Sequence, residues 1–216
     1  MIDLHTHTIH SDGDLIPSEL VRRARVVGYR AMALTDHGDH SNLNLIIPGI
    51  VRVCKKLSQA YDIPIIPGIE LTHIPPEFIE ELVQEARGLG AKIVVVHGET
   101  IAEPVAPGTN RAALEASVDI LAHPGLIGAE EAMMASRNAV CLEITTRKGH
   151  SLTNGHVAGM ARQYNFPLVL DTDTHESHDL TSLGAAERIA RGAGMTEKEI
   201  MTMFRNSENL VKKCAG

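Results

Sequence analysis

The chain has no tryptophan and only three phenylalanines and three tyrosines in 216 residues. A core of this size must therefore be built from Ile, Val, Leu, Ala and Met, which suits strands buried on both faces of an α/β protein. The same shortage argues against a surface of stacked aromatics of the kind that holds single-stranded nucleic acid. Cysteine is scarce too. Cys54, Cys141 and Cys214 form no CxxC pattern and leave one unpaired, so neither a disulfide framework nor a thiolate zinc knot is expected. Positive charge is outweighed, 20 Lys and Arg against 27 Asp and Glu, for a net charge of -7. That balance argues against a nonspecific nucleic-acid partner, which needs a basic stripe. No apolar run approaches the length of a membrane span and none resembles a leader at Met1, so no membrane partner and a cytoplasmic location are expected. Internal repeats, low-complexity tracts and Gly/Ser linkers are also missing, which predicts one domain over residues 1–216.

What is present is an alternation. Short aliphatic runs fall at 2–7, 31–37, 63–70, 92–98, 119–124, 140–146 and 167–173, each followed by a Gly, Pro or polar cluster. Amphipathic segments lie between them. Leu20, Val21, Ala24 and Val27 share one helical face ahead of Gly28, a C-terminal cap residue. Phe78, Ile79, Leu82, Val83, Ala86 and Leu89 do the same, and Thr196 to Glu199 has the spacing of a capping box. Seven strand–helix alternations predict a parallel sheet, open or closed into a barrel. The longest loop after a strand, 99–110, reads as a substrate loop or a plain connector.

The predicted strands end in a common chemistry. They run into "LHTH", "LTDH", "PGIE", "VVHG", "AHPG" and "LDTDTH", so that six of seven finish in His, Glu or Asp. In a parallel barrel every C-terminal strand end faces one mouth, where active sites form. His5, His7, Asp12, His37, Glu70, His97, His123, Asp173 and His175 would then meet there. Imidazole and carboxylate together suit zinc, manganese or iron, and nine such groups are too many for one ion. Two or three divalent ions are expected, with Glu70 or Asp173 able to bridge a pair roughly 3.5–4 Å apart. Asp36 and Asp171 read as supporting or capping residues. His40 and His178 read as neighbours of ligands, and His73 and His156 as ordinary polar residues.

These motifs resemble the PHP (polymerase and histidinol phosphatase) superfamily over nearly the whole chain. The two spaced histidines of its opening motif match His5 and His7, and the following ligand matches Asp12, with His10 an alternative. Its later motifs match His37, Glu70, His97, His123 and the closing Asp173-x-His175. The resemblance implies a distorted (β/α)7 TIM-like barrel with a trinuclear site. His5, His7, Glu70 and Asp173 would hold one ion, Glu70, His97 and His123 a second, and Asp12, His37 and His175 the third. The amidohydrolase group also opens with His-x-His, but its usual bridging lysine would fall where this chain has His97.

Three divalent ions with three carboxylates would leave about +3 at the mouth, attracting a phosphate dianion despite the net negative chain. Ions held by Glu70 and Asp173 would lower the pKa of a shared water toward roughly 7, making hydroxide the nucleophile. Arg147 and Lys148, after the sixth strand, are candidate phosphate contacts, or else a solvated basic turn. His150 is a candidate proton donor or phosphate contact. The expected activity is hydrolysis of a small phosphate monoester of the histidinol-phosphate kind. The alternatives are a phosphodiesterase or exonuclease on small nucleotides, and a non-catalytic regulatory PHP module.

Overall fold

Eight parallel strands were found where seven are expected, because one is cut in two. The computed structural model describes residues 1–215. Strands β1 (Ile2–Asp3), β2 (Ala31–Leu34), β3 (His37–Gly38), β4 (Ile65–Leu71), β5 (Ile93–His97), β6 (Ile120–Ala122), β7 (Cys141–Thr145) and β8 (Leu168–Asp171) follow one another around a single sheet. β2 pairs with the start of β4 and β3 with its end, so both occupy one staff of the barrel. The break falls at Thr35 and Asp36, whose side chains accept hydrogen bonds from the Thr6 and Thr8 N–H groups across the first loop.

The barrel closes between its first and last strands by an unusual means. Only Thr6 and Thr174 form a backbone bridge there. Lower down, two carboxylates stand in for missing ladder bonds. Asp171 accepts the Leu4 N–H at 2.6 Å, and Asp3 accepts the Thr172 N–H at 3.1 Å. Both are fully buried; burial pushes Asp3 up to about 6 and Asp171 upward as well, and Asp171 is also repelled by Asp3 and Glu143. The expected supporting role of Asp171 takes this form.

Helices α1 (Pro17–Val27), α2 (Leu43–Tyr61), α3 (Ile79–Leu89), α4 (Thr109–Glu115), α5 (Ala129–Asn138), α6 (Asn154–Tyr164), α7 (Leu183–Gly192) and α8 (Glu197–Ala215) complete the fold. Alternate strand residues divide the interior in two. Met32, Leu34, Ile69, Val94, Val96, Leu142 and Leu170 face the helices, whereas Ile2, Ala33, Ile66, Ile93, Val95, Ile120, Cys141 and Val169 fill the barrel. Val211 of α8 joins the inner cluster, and Lys213 Nζ reaches Asp119 at 2.9 Å, so α8 stops the N-terminal end.

The cap expectations hold: Gly28 closes α1 at φ 99°, and Thr196 and Glu199 bond reciprocally at the start of α8. Two apolar-face assignments do not. Val27 is exposed in the last turn of α1, and Phe78 sits exposed in a separate 3-10 turn at Pro76–Phe78. The proline pair before Phe78 starts this turn early and rotates the ring off the face that Ile79, Leu82 and Val83 bury.

Candidate metal centre at the barrel mouth

The inner face of the strands is apolar at one end and ionisable at the other. The register that buries Ile66 and Gly68 continues two residues on to Glu70, and Ile93 and Val95 lead likewise to His97. Cys141 leads to Glu143 in the same way. Period-two geometry thus delivers these groups to the C-terminal mouth. Just beyond the strand ends, His123 and Asp173 are carried at φ 26° and 53°. Non-glycine residues adopt such conformations at a cost of about 1–3 kcal/mol, here where the side chains must turn inward.

Glu70 is the hub. Its Oε1 lies 3.3 Å from His5 Nε2, 3.4 Å from His97 Nδ1 and 3.9 Å from His123 Nε2. Its Oε2 lies 2.7 Å from His37 Nδ1 and 3.7 Å from His7 Nε2. Asp173 faces it, with Oδ1 3.2 Å from His7 Nε2 and Oδ2 3.8 Å from His123 Nε2. Asp12 Oδ1 joins His37 Nε2 at 3.3 Å and His175 Nε2 at 3.2 Å. All nine expected ligands are therefore brought together. His10 is exposed and belongs to none of these groups, which favours Asp12.

Within 4.8 Å the donors sort into Glu70–His97–His123 and His7–Asp12–His37–His175, in line with the second and third expected sets, except that His7 joins the latter. The first expected set divides: His5, His7 and Glu70 fall in one group, while His5 and Asp173 group with His123 of the second set.

Burial and mutual charge set the protonation pattern. Burial opposes ionisation of Glu70, yet the surrounding His5 and His37 hold its carboxyl well below the usual range. Burial opposes His37 as well, but Glu70 and Asp12 raise it to about 10. His7, buried beside His37, falls to about 4, and His123 is depressed in the same way by burial and by His97. Positive charge is thus wanted at Glu70, Asp173 and Asp12 and is resisted on several of the imidazoles.

A metal centre fits this arrangement. His5 Nε2, both nitrogens of His7, His97 and His123, and Glu70 Oε1 are buried without a hydrogen-bond partner. Each such atom costs about 1–3 kcal/mol if left unpaired. Convergent imidazole nitrogens and carboxylate oxygens, with no thiolate among them, are what divalent ions take from a protein. Several rings are also oriented from behind. His5 Nδ1 meets Glu143 at 2.8 Å, His37 Nδ1 the Thr72 hydroxyl at 2.6 Å, and His175 Nδ1 the Asp173 carbonyl at 2.9 Å. Asp36 is anchored on Thr8 and Ser11, fixing the turn that carries Asp12.

The mouth is a cavity of about 260 Å³ lined by Asp12, His73, Glu103, Arg147, His150 and Asp173 among others. Arg147 Nη1 meets Asp179 at 3.0 Å and Nε lies 3.9 Å from Asp173. His150 is stacked on His123 at 4.2 Å and bonded through Nδ1 to Thr100 at 2.7 Å. Lys148 departs from expectation: it is exposed and does not line the cavity, because Gly149 at φ 91° turns the chain inward only at His150. His40 likewise stands outside, edge-on to Phe78, and His178 is an exposed partner of Glu176. His73, read as an ordinary polar residue, is at the rim, and His156 bonds the Ile127 carbonyl. A larger groove of about 570 Å³ between α6 and α8 contains none of the candidate ligands.

Glu143, Thr72 and Glu103 were missed from sequence. Glu143 had a signal, a lone carboxylate at an inward position of an aliphatic strand. Thr72 and Glu103 had none.

The PHP domain model matches residues 3–134, and the chain belongs to that family. It is 47% identical over 214 residues to an uncharacterized protein of Methanocaldococcus jannaschii, covering 98% of both chains. It is 29% identical over 229 residues to ribonuclease P protein component 3 of Methanosarcina mazei, covering 98% of this chain and 88% of that one. In fold it is similar to YwqE of Bacillus subtilis and CpsB of Streptococcus pneumoniae, described as metal-dependent tyrosine phosphatases, with a TM-score of 0.54 at 17% identity over 99% of this chain and 95% of that one.

Proposed function

We propose that this chain is a metal-dependent phosphoesterase that hydrolyses a small phosphate monoester at the barrel mouth. One observation carries the reading: the unpaired, buried imidazoles and carboxylates converging around Glu70 and Asp173. His5, His7, Asp12, His37, Glu70, His97, His123, Asp173 and His175 would hold two or three ions. Bound divalent zinc, manganese or iron supplies Lewis acidity and a water made acidic enough to ionise near neutral pH. The chain's own groups do the rest. Arg147 offers a guanidinium to phosphoryl oxygens at one side of the cavity. His150, buried and fixed by Thr100, is a donor toward the ester oxygen. A cavity of about 260 Å³ suits a phosphoryl group with a compact leaving group, of which histidinol phosphate is one example.

The relative named as a ribonuclease P component favours a second reading, in which the chain joins a protein–RNA assembly, and it widens the expectation of no nucleic-acid partner. The net charge of -7 argues against unaided RNA binding. The deciding experiment is phosphate release from a panel of monoesters, with diesters alongside, using protein loaded with manganese or zinc and a chelated control. Metal-dependent turnover that falls at least 100-fold in Asp173→Ala is expected. Absence of turnover with metal demonstrably bound would refute the monoesterase reading and turn attention to RNA.

A further inference from the structure

His97 has two sides, and the ion groups around Glu70 use only the inner one. Its Nδ1 is turned to Glu70 Oε1 at 3.4 Å. Its Nε2 is turned outward, buried and without a hydrogen-bond partner, 3.2 Å from Glu103 Oε2. The same oxygen accepts a hydrogen bond from His73 Nε2 at 3.2 Å. One donor atom from each of His73, His97 and Glu103 lies within 4.8 Å of the others, at the rim of the mouth.

The backbone puts both rim residues there. Glu103 lies on the segment between β5 and α4, closed at its neck by Glu99, whose Oε1 accepts the N–H groups of Gly108 at 3.0 Å and Asn110 at 2.9 Å. His73 follows β4 at φ 54°. Among the described residues, the other non-glycine residues at positive φ fall into two kinds. Asp62, Ser117, Ala139 and Asn165 sit just past the ends of helices, whereas His123 and Asp173 follow strands and are candidate ligands. His73 shares their conformation and their place after a strand.

A neutral imidazole offers one lone pair, so His97 serves either the group with Glu70 and His123 or the group at the rim. The inner donors do not depend on it. His5, His7 and Glu70 form one group, His5, His123 and Asp173 another, and His7, Asp12, His37 and His175 a third, all without His97. The rim group exists only with His97, its one buried member, whose outward nitrogen is otherwise orphaned.

We propose that the rim holds a divalent ion of its own, ligated by His73 Nε2, His97 Nε2 and a carboxylate oxygen of Glu103. This rests on the metal-site reading proposed above and moves His97 outward from the set with Glu70 and His123. Two imidazoles and a carboxylate suit zinc, manganese or iron. Each ring then keeps its proton on Nδ1, which in His97 faces the Glu70 carboxylate. Three protein donors leave a coordination position open, and His73, His97 and Glu103 all line the cavity, so that position faces the substrate's side.

The test is NMR of the full chain, labelled with 15N-histidine and loaded with 113Cd in place of zinc. One cadmium resonance coupled to Nε2 of both His73 and His97 is expected. In His73→Ala and in Glu103→Ala that resonance should vanish while the inner ones persist, and bound metal should fall by about one equivalent per chain. Both side chains are exposed, so neither substitution disturbs the core. Cadmium coupled to His97 through Nδ1, or to no nitrogen of His73, would overturn the proposal alone and return His97 to Glu70 and His123. A chain that takes up no cadmium would overturn it together with the metal-site reading.

Discussion

At the scale of single residues, the site is organised by what stands behind each imidazole. A histidine can offer a lone pair to an ion only if its other nitrogen keeps the proton, and a fixed acceptor decides which one does. Glu143 is fully buried and its two oxygens divide the work, Oε1 meeting His5 Nδ1 at 2.8 Å and Oε2 accepting the His123 N–H of the backbone at 3.0 Å. It thereby orients one candidate ligand and holds the strained turn of another. Glu143→Ala is expected to lower metal affinity about 10–100-fold, measured by bound metal after dialysis against graded chelator. Glu143→Gln should lose less, since its amide oxygen still accepts from one of the two. Glu143 was open to detection from sequence, because a carboxylate between Leu142 and Ile144 is costly unless it serves something. Glu103 was not, since a glutamate in a Pro-rich loop is ordinarily solvated.

At the scale of elements, strand parity carries the argument. Interior positions run from aliphatic to ionisable in β4 (Ile66 to Glu70), β5 (Ile93 and Val95 to His97) and β8 (Val169 to Asp171), so the same alternation that packs the barrel arms its mouth. The seven aliphatic runs in the sequence correspond to the seven staves. The split of one into β2 and β3 was hidden, since "AMALTDH" reads as one run. The division arises from long-range bonds to Thr6 and Thr8, which no local pattern encodes. Closure of the barrel is also long-range. Removing the carboxylate in Asp171→Ala strips the buried Leu4 N–H of its acceptor, at a cost of about 1–3 kcal/mol. A fall of several degrees in melting temperature, read by circular dichroism, is the expected outcome. A melting curve identical to wild type would mean the first and last strands do not depend on that contact.

At the scale of the whole molecule, a net charge of -7 coexists with a mouth that concentrates carboxylates and imidazoles. Divalent ions binding the folded chain alone must stabilise it by mass action. At about 100 times the dissociation constant the gain is about 2.7 kcal/mol, or roughly 5–11 °C in a domain of this size. Scanning calorimetry with zinc or manganese and then with excess chelator should show that rise and its reversal. No helix is long and apolar enough to cross a membrane, among the described residues.

The sequence by itself determined the parallel α/β architecture and the nine residues that meet at the mouth, because strand period and strand-end position are both local properties of the chain. Tertiary structure alone decided how those residues group: His7 stands both with Asp12, His37 and His175 and with His5 and Glu70, and Arg147 lines the cavity while Lys148 does not. It alone supplied Glu103. Which side chains share an ion depends on barrel curvature and on loop paths, and these are set by contacts between residues far apart in the chain.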